Sequence, residues 1–534
     1  MAIHVDRAYY MPMSTQRRLG APHAAKYTLT PQQTREPQIH PANSLEGADD
    51  ENVFLLPDEQ VVQYSYVESP PPPATPLPPL LALARLCQVQ VPTEIGSNGP
   101  VLASIHRPES AGIEELGKFE ALFGRDSLIS ALFVVDQFPL LLEATVRTLA
   151  RYQGRQYDPM SEEEPGRIPH EVRDPTDPIA MAITQSSGWK WPYYGAVDTT
   201  PLFLIAMAKL FDLGRWTAEL ERATTAAIDW LIRRLDDGDG LLISQPTNPH
   251  GIENQVWKDS WDAYSYADGT VAHPPIAPLI AQVLAHDACL AGVKILKATN
   301  PADRRRGRLR DLAVSLHDVV VERYWVDASD GGYCGPALVR SSSGHLDRVL
   351  STRSSDMGHL LASNMLAGEK DRERRLTLIR ALWGEDMLCG AGIRTLSSAG
   401  SRYRPTAYHN GTSWPWDTAI AALAMDRLGF RALADDLFER VRRVHQTTRL
   451  FPEFVRGDST EVIRVNTLVV DVRGRDGRVN RISQPPQEVQ AFTVTAMLAM
   501  DWRQASRSRT HVKLLPAEAK MEQALLASAT SRGL

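Results

Sequence analysis

A chain of 534 residues, 43% hydrophobic and 23% charged, can bury a large core as one big or two ordinary domains. Its formal charge of −6 leaves no basic footprint, so nucleic acid is not an expected partner. Four cysteines (Cys87, Cys289, Cys334, Cys389) lie far apart with no CxxC pair, which argues against a zinc site or a disulfide framework.

The start, MAIHVDRAYYMPMSTQRR, lacks the apolar core of a secretory signal. The most apolar run, SLISALFVVDQFPLLLEA, is broken by Asp136, Gln137 and Pro139 and reads as buried helices, not a membrane span. A cytoplasmic, membrane-free protein is expected. Residues 1–110 form a polar, weakly periodic arm, with SPPPPATPLPP at 69–79 as a stiff spacer. Its role is not legible, nor is the oligomeric state.

From about residue 120 helical segments come in pairs. The first of each pair is apolar nearly all round: 127–138, 200–211, 276–296, 356–366, 417–430 and 489–500. The second is amphipathic and more charged: 140–153, 217–235, 304–325, 370–383, 431–445 and, less clearly, 515–529. A helix apolar on every side is buried, whereas one with a charged face lies outside. The alternation predicts an all-α (α/α)6 toroid over 111–534, six inner helices within six outer ones. Links from inner to outer helices are short. Links from outer to inner helices are long, near 154–198, 236–275, 326–354, 384–416 and 446–488. If helices alternate in direction, all long loops share one end, over the inner-helix N-termini, and that end is the expected functional face.

Those loops carry the chemistry. They hold FGRDS (123–127), GRIPHEVRD (166–174), WKWPYYGAVDT (189–199), NQVWKDSWDAYSYADG (254–269), YHNGTSWPWD (408–417) and LFPEFVRGD (450–458). Six of eleven tryptophans (Trp189, Trp191, Trp257, Trp261, Trp414, Trp416) sit in three of them, so they serve either as loop staples or as walls of a site. Flat aromatic faces suit sugar rings, and Arg with carboxylates suits vicinal hydroxyls. Asp259, between Trp257 and Trp261 with Asp262 nearby, fits a carboxyl kept protonated. Glu453, in an apolar turn beside Arg456, fits one kept ionised to activate water. Asp126, Asp198, Asp356 and Asp417 stand where helices start and have an alternative as caps or first-turn charges, the favoured reading for Asp417. DDGDG (236–240) lacks the spacing of a calcium loop and reads as a helix-ending turn. Nucleotide and serine-hydrolase motifs are missing, and neither a metal nor a cofactor is expected.

The order of LFGRDSLISAL, EEEPGRIPHEVR, YYGAVDTTPLF, NQVWKDSWDAYSYADGT, GIRTLSS, YHNGTSWPWD and LFPEF resembles the amylo-α-1,6-glucosidase family, the glucosidase part of glycogen-debranching enzymes, across about residues 120–500. The resemblance implies an inverting α-glucosidase with Asp259 as general acid and Glu453 as general base. It also implies that Arg125, Asp126, Tyr194, Asp198, Trp257, Lys258, His409, Asn410 and Trp414 surround the non-reducing glucose. Inversion would place the two carboxyls roughly 6.5–9.5 Å apart. The family's β-rich N-terminal domain has no counterpart of that size here, so a shorter glucosyl or mannosyl substrate, a disaccharide or glycosylglycerate, is an alternative. A toroidal polysaccharide lyase and a non-catalytic sugar-binding protein are the remaining ones.

Overall fold

The computed structural model describes residues 53–55, 61–68, 76–106, 119–329, 331–458, 466–473, 479–484, 487–507 and 512–533. Most of the arm and of the Pro-rich spacer lies outside them.

Fourteen α-helices follow in chain order among the described residues. They are α1 (Pro79–Leu86), α2 (Gly124–Phe133), α3 (Pro139–Arg151), α4 (Pro178–Ser187), α5 (Thr199–Asp212), α6 (Ala218–Asp237) and α7 (Leu279–Thr299). Then come α8 (Arg305–Arg323), α9 (Asp356–Ala362), α10 (Arg372–Leu382), α11 (Pro415–Arg427), α12 (Arg431–Thr448), α13 (Ala491–Ser506) and α14 (Pro516–Ser531). All twelve expected helices are present.

The inner ring closes through α2, α5, α7, α9, α11 and α13, each packed on the next and α13 back on α2. Composition explains the layering. In α5, ten residues from Thr199 to Leu210 are buried, on every side of the helix. In α6 the buried positions Leu220, Ala223, Thr224, Ala227, Ile228, Leu231 and Leu235 follow the three-and-four spacing of a single stripe. Thr217 caps α6 by accepting from the Leu220 amide at 3.4 Å, with Glu219 and Glu221 in the favourable first turn. Helix α7 is long and apolar enough to cross a membrane, but 72% of its most apolar stretch is buried in the protein, as an inner helix requires. The DDGDG segment ends α6 in a turn with Asp239 and Gly240 at positive φ.

The sixth pair differs from the other five. Helix α14 packs on α12 and leaves most of its length exposed, with Glu518 and Ala529 its buried residues. The flank of α13 is met by α1, which buries Ala82, Leu83, Ala84 and Leu86. A segment of the N-terminal arm is thus part of the helical body. Farther up the arm, strands β1 (Val53–Leu55) and β2 (Val61–Glu68) pair antiparallel. They join β3 (Asn466–Arg473) and β4 (Val479–Gln484) in a four-stranded sheet of order β1-β2-β3-β4. These strands were not expected from the sequence. The other strands are short pieces that tie loops together, such as 122–123 against 171–172 and 104–105 against 489–490.

Candidate active site

A pocket opens at the end of the toroid where the inner helices begin. It encloses about 490 Å³, part of it open solvent at the mouth. The start of α2 contributes Arg125, Asp126 and Ile129, and that of α11 contributes Trp414 and Trp416. The start of α13 contributes Gln490 and Phe492. The long loops add Trp257, Asp259, Tyr408 and Glu453, and Phe119, Phe123 and His170 complete the lining.

The FGRDS turn is locally constrained. The Gly124 amide donates to the His170 carbonyl at 2.8 Å. A Cβ on Gly124 would lie 2.2 Å from the Pro169 carbonyl oxygen, so only glycine lets the two strands approach and turn Arg125 inward. The Arg125 guanidinium then forks. One nitrogen reaches both oxygens of Asp198 at 3.0 and 3.2 Å, and the other donates to Asp259 Oδ2 at 3.1 Å. Asp198 precedes α5 but makes no capping bond; its carboxylate serves Arg125 instead. Asp126 accepts from Gln490 Nε2 at 3.1 Å.

Glu453 comes from a segment strapped to the start of α13. Its amide donates to the Gln487 carbonyl at 3.2 Å, and Phe451 and Gln490 bond along the same short ladder. The Tyr408 hydroxyl donates to Glu453 Oε1. Arg456, expected beside Glu453, pairs with Asp458 through its Nε. The expected acidic neighbour of Asp259 also differs: Asp262 pairs with Arg402 at 3.3 Å, and the charges acting on Asp259 are Arg125, Asp126 and Asp198.

These surroundings raise four carboxyls, Asp198 among them through its burial and against Arg125. Burial pushes Asp259 up to about 7; Arg125 opposes this, while Asp126 and Asp198 add to it. Burial pushes Glu453 up to about 8 against the Tyr408 hydrogen bond, with Asp126 and Asp259 adding. Asp126 rises to about 6, again from burial. Glu453 is therefore not held low by a neighbouring arginine, as the sequence had led us to expect. A stability consequence follows. From pH 4.5 to about 8 an unfolded Glu453 is ionised while the folded one retains its proton, so its contribution to stability falls as pH rises through that window. Glu453→Gln is expected to raise the melting temperature, by roughly 1–3 °C at pH 8. The gain should shrink toward pH 5, and melting curves of both proteins across that range check it.

The tryptophans divide by role. Trp257, Trp414 and Trp416 wall the pocket and meet edge to face, with Trp257 at 5.6 Å from Trp414 and 5.2 Å from Trp416. Trp189 stacks on Tyr193 at 3.7 Å and donates to the His250 carbonyl, and Trp191 donates to Thr184 on α4, so both staple loops. Trp261 lies under the Arg402 guanidinium, away from the pocket, and is not the second wall expected for Asp259.

Among the residues that the family resemblance placed around glucose, Arg125, Asp126, Trp257 and Trp414 line the pocket. The others do not line it. Asp198 holds Arg125, and the Tyr194 hydroxyl donates to the Tyr152 carbonyl at 2.6 Å. Asn410 Nδ2 donates to the Asp262 carbonyl at 2.9 Å, and Lys258 Nζ to the Thr395 carbonyl at 2.9 Å. His409 bonds Ser260 through Nδ1 and stacks on Trp414 at 5.2 Å; burial holds it well below the usual histidine range. Asp356 and Asp417 do not cap helices with their side chains: Asp356 accepts from Trp257 Nε1 at 3.1 Å, and Asp417 bonds His359 at 2.8 Å. Tyr408, Gln490 and Phe492 are pocket residues that the site reading missed, and Trp416 was read as either a staple or a wall. Tyr408 sits inside the quoted YHNGTSWPWD motif, whereas Gln490 and Phe492 were read only as the start of an inner helix. Among the described residues no group of three His, Cys, Asp or Glu is placed to hold a metal.

No family model matches the chain, and no curated protein matches it. Solved structures do. A single-residue variant of a protein described only as a glycosidase superposes with a TM-score of 0.50 at 12% identity, over 80% of this chain and 95% of its own. The fold is shared: the chain is an all-α (α/α)6 toroid. A GH63 mannosylglycerate hydrolase from Thermus thermophilus, in complex with glucose, gives 0.48 at 13% identity, over 79% of this chain and 98% of its own.

Proposed function

We propose that the chain is an inverting, exo-acting glycoside hydrolase that removes a terminal α-linked glucose. The observation that carries this reading is a pocket in which Asp259 and Glu453 face one space between aromatic walls, both with raised proton affinity. Asp259 donates its proton to the glycosidic oxygen as the bond breaks. Glu453 takes a proton from a water that attacks the opposite face of the sugar. This requires a separation of roughly 6.5–9.5 Å between the carboxyls, room for that water. Arg125 and Asp126 are placed for ring hydroxyls. Gln490 Oε1 and Trp416 Nε1, buried on the pocket wall without a protein partner, match the same hydroxyl-rich ligand.

The competent form has Asp259 protonated and Glu453 ionised. Burial raises both groups, and the substrate sets the order. A water donating to Glu453 lowers its proton affinity, and a glycosidic oxygen accepting from Asp259 favours the protonated acid. The pair should give a bell-shaped kcat/KM profile centred between pH 7 and 8, with activity lost at acid pH as Glu453 takes a proton and at alkaline pH as Asp259 loses one. Tyr408→Phe removes a hydrogen bond that favours the ionised base. It should lower kcat about tenfold and move the acid limb of the kcat profile, which is set in the substrate complex, to higher pH; pH–rate profiles of both proteins check this.

A panel of short α-glucosides, mannosyl and glucosyl glycerates and a 1,6-branched maltodextrin tests the activity. Release of glucose supports the reading, and the best substrate reveals whether the debranching resemblance extends to specificity. Turnover of the mannosyl compounds alone would replace glucose by mannose. No sugar released from any member would overturn it.

A further inference from the structure

Directly behind the pocket is a buried ion pair that takes no part in the proposed chemistry. Lys258 Nζ lies 3.3 Å from Asp356 Oδ2, 2.9 Å from the Thr395 carbonyl oxygen and 5.0 Å from the Trp257 ring centroid. Asp356 also accepts from Trp257 Nε1 at 3.1 Å and from Ser354 Oγ at 3.1 Å. Both charged residues are almost wholly buried, and neither lines the pocket.

We infer that Lys258 and Asp356 are a positioning pair: they hold Trp257 and Asp259 in register with Glu453 without touching the substrate. This rests on the glycosidase reading. The sequence order carries the inference. In Trp257-Lys258-Asp259 the first residue is a pocket wall and the third is the acid, while the middle one is tied to the toroid from behind. Asp356, at the start of α9, grips both Trp257 and Lys258, so two consecutive side chains are fixed to one carboxylate and the third is directed at Arg125.

The same scaffold continues to the base. Trp257 meets Trp414 edge to face at 5.6 Å, Trp414 Nε1 donates to the Tyr408 carbonyl at 2.9 Å, and the Tyr408 hydroxyl donates to Glu453. Acid and base are thus joined through one connected set of contacts. A buried ion pair yields little net stability against apolar groups of similar size. What it supplies here is direction, through hydrogen bonds that an apolar pair lacks.

The test compares Lys258→Met, Asp356→Asn and the double variant Lys258→Met/Asp356→Leu with the wild type. Each single change should lower kcat roughly 10- to 100-fold, the effect of a displacement near 1 Å, with KM within about threefold. The double variant removes both charges and should regain the melting temperature but not kcat. Recovery of kcat together with the melting temperature would show a purely structural pair and overturn the proposal. Crystal structures of Lys258→Met and Asp356→Asn give a readout independent of turnover. The Asp259 carboxylate should leave its 3.1 Å contact with Arg125, and the Trp257 indole should rotate. Unchanged placement of both overturns the positioning role, whereas a wild type inactive on every glycoside overturns only the glycosidase reading.

Discussion

Asp259→Asn is expected to lower kcat on α-glucosides with sugar leaving groups by about 10³-fold, with KM little changed. The amide is nearly isosteric and can still accept from Arg125, but it has no acidic proton to deliver as the glycosidic bond breaks. The loss should depend on the leaving group. A glucosyl fluoride or a nitrophenyl glucoside needs little protonation, and the variant should retain a far larger share of activity on these. Removing the carboxyl also takes away the alkaline limb of the pH profile. Equal losses on activated and unactivated substrates would show that Asp259 binds the sugar and does not protonate it. Steady-state kinetics on one natural and one activated substrate decide between the two.

The second large effect is at Glu453. Glu453→Gln is expected to abolish turnover to within about 10⁻⁴ of wild type on both substrate types, because activation of water is needed whatever the leaving group. The same variant should be the more stable protein at pH 8. Loss of function combined with gain of stability is what a buried carboxyl retained for chemistry produces. Glu453→Ala, which leaves space beside the sugar, should regain activity on glucosyl fluoride when azide is added, with the product a β-glucosyl azide. An α-azide product would place Glu453 on the other face of the ring.

The fold was legible because the pattern is coarse and repeated. Segments such as TPLFLIAMAKLF can only be buried on all sides, and the stripe of α6 can only face inward, so the two layers separate on composition alone. The loop lengths then pointed to the end of the toroid where the pocket lies. The sixth pair was less legible, since α1 follows directly on a proline run and its apolar face covers only eight residues. Pairing between β2 and β3 joins segments about 400 residues apart, which no local pattern encodes. The site was legible at the level of motifs and not of individual side chains. WKDSWD contains two tryptophans and two acids at nearly equivalent spacing. The turn at 260–263 sends Trp261 and Asp262 toward Arg402, while Trp257 and Asp259 face the pocket. Arg456, near Glu453 in sequence, pairs with Asp458, and Asp126, an acid acting on both Asp259 and Glu453, is distant from each along the chain. Lys258 and Asp356 show the limit most clearly: a motif fixes that a residue is needed, and only the packing reveals on which side of the wall it stands.

The measurement that tests the central claim most directly is proton NMR of a fresh reaction mixture, following the anomeric signals of the first glucose released from an α-glucoside by the wild-type protein. Attack of water activated by Glu453 on the face opposite the departing oxygen predicts β-glucose first, with α-glucose appearing only at the rate of mutarotation. α-Glucose as the first product would contradict the mechanism, since it requires two displacements and a carboxylate close enough to bond the sugar.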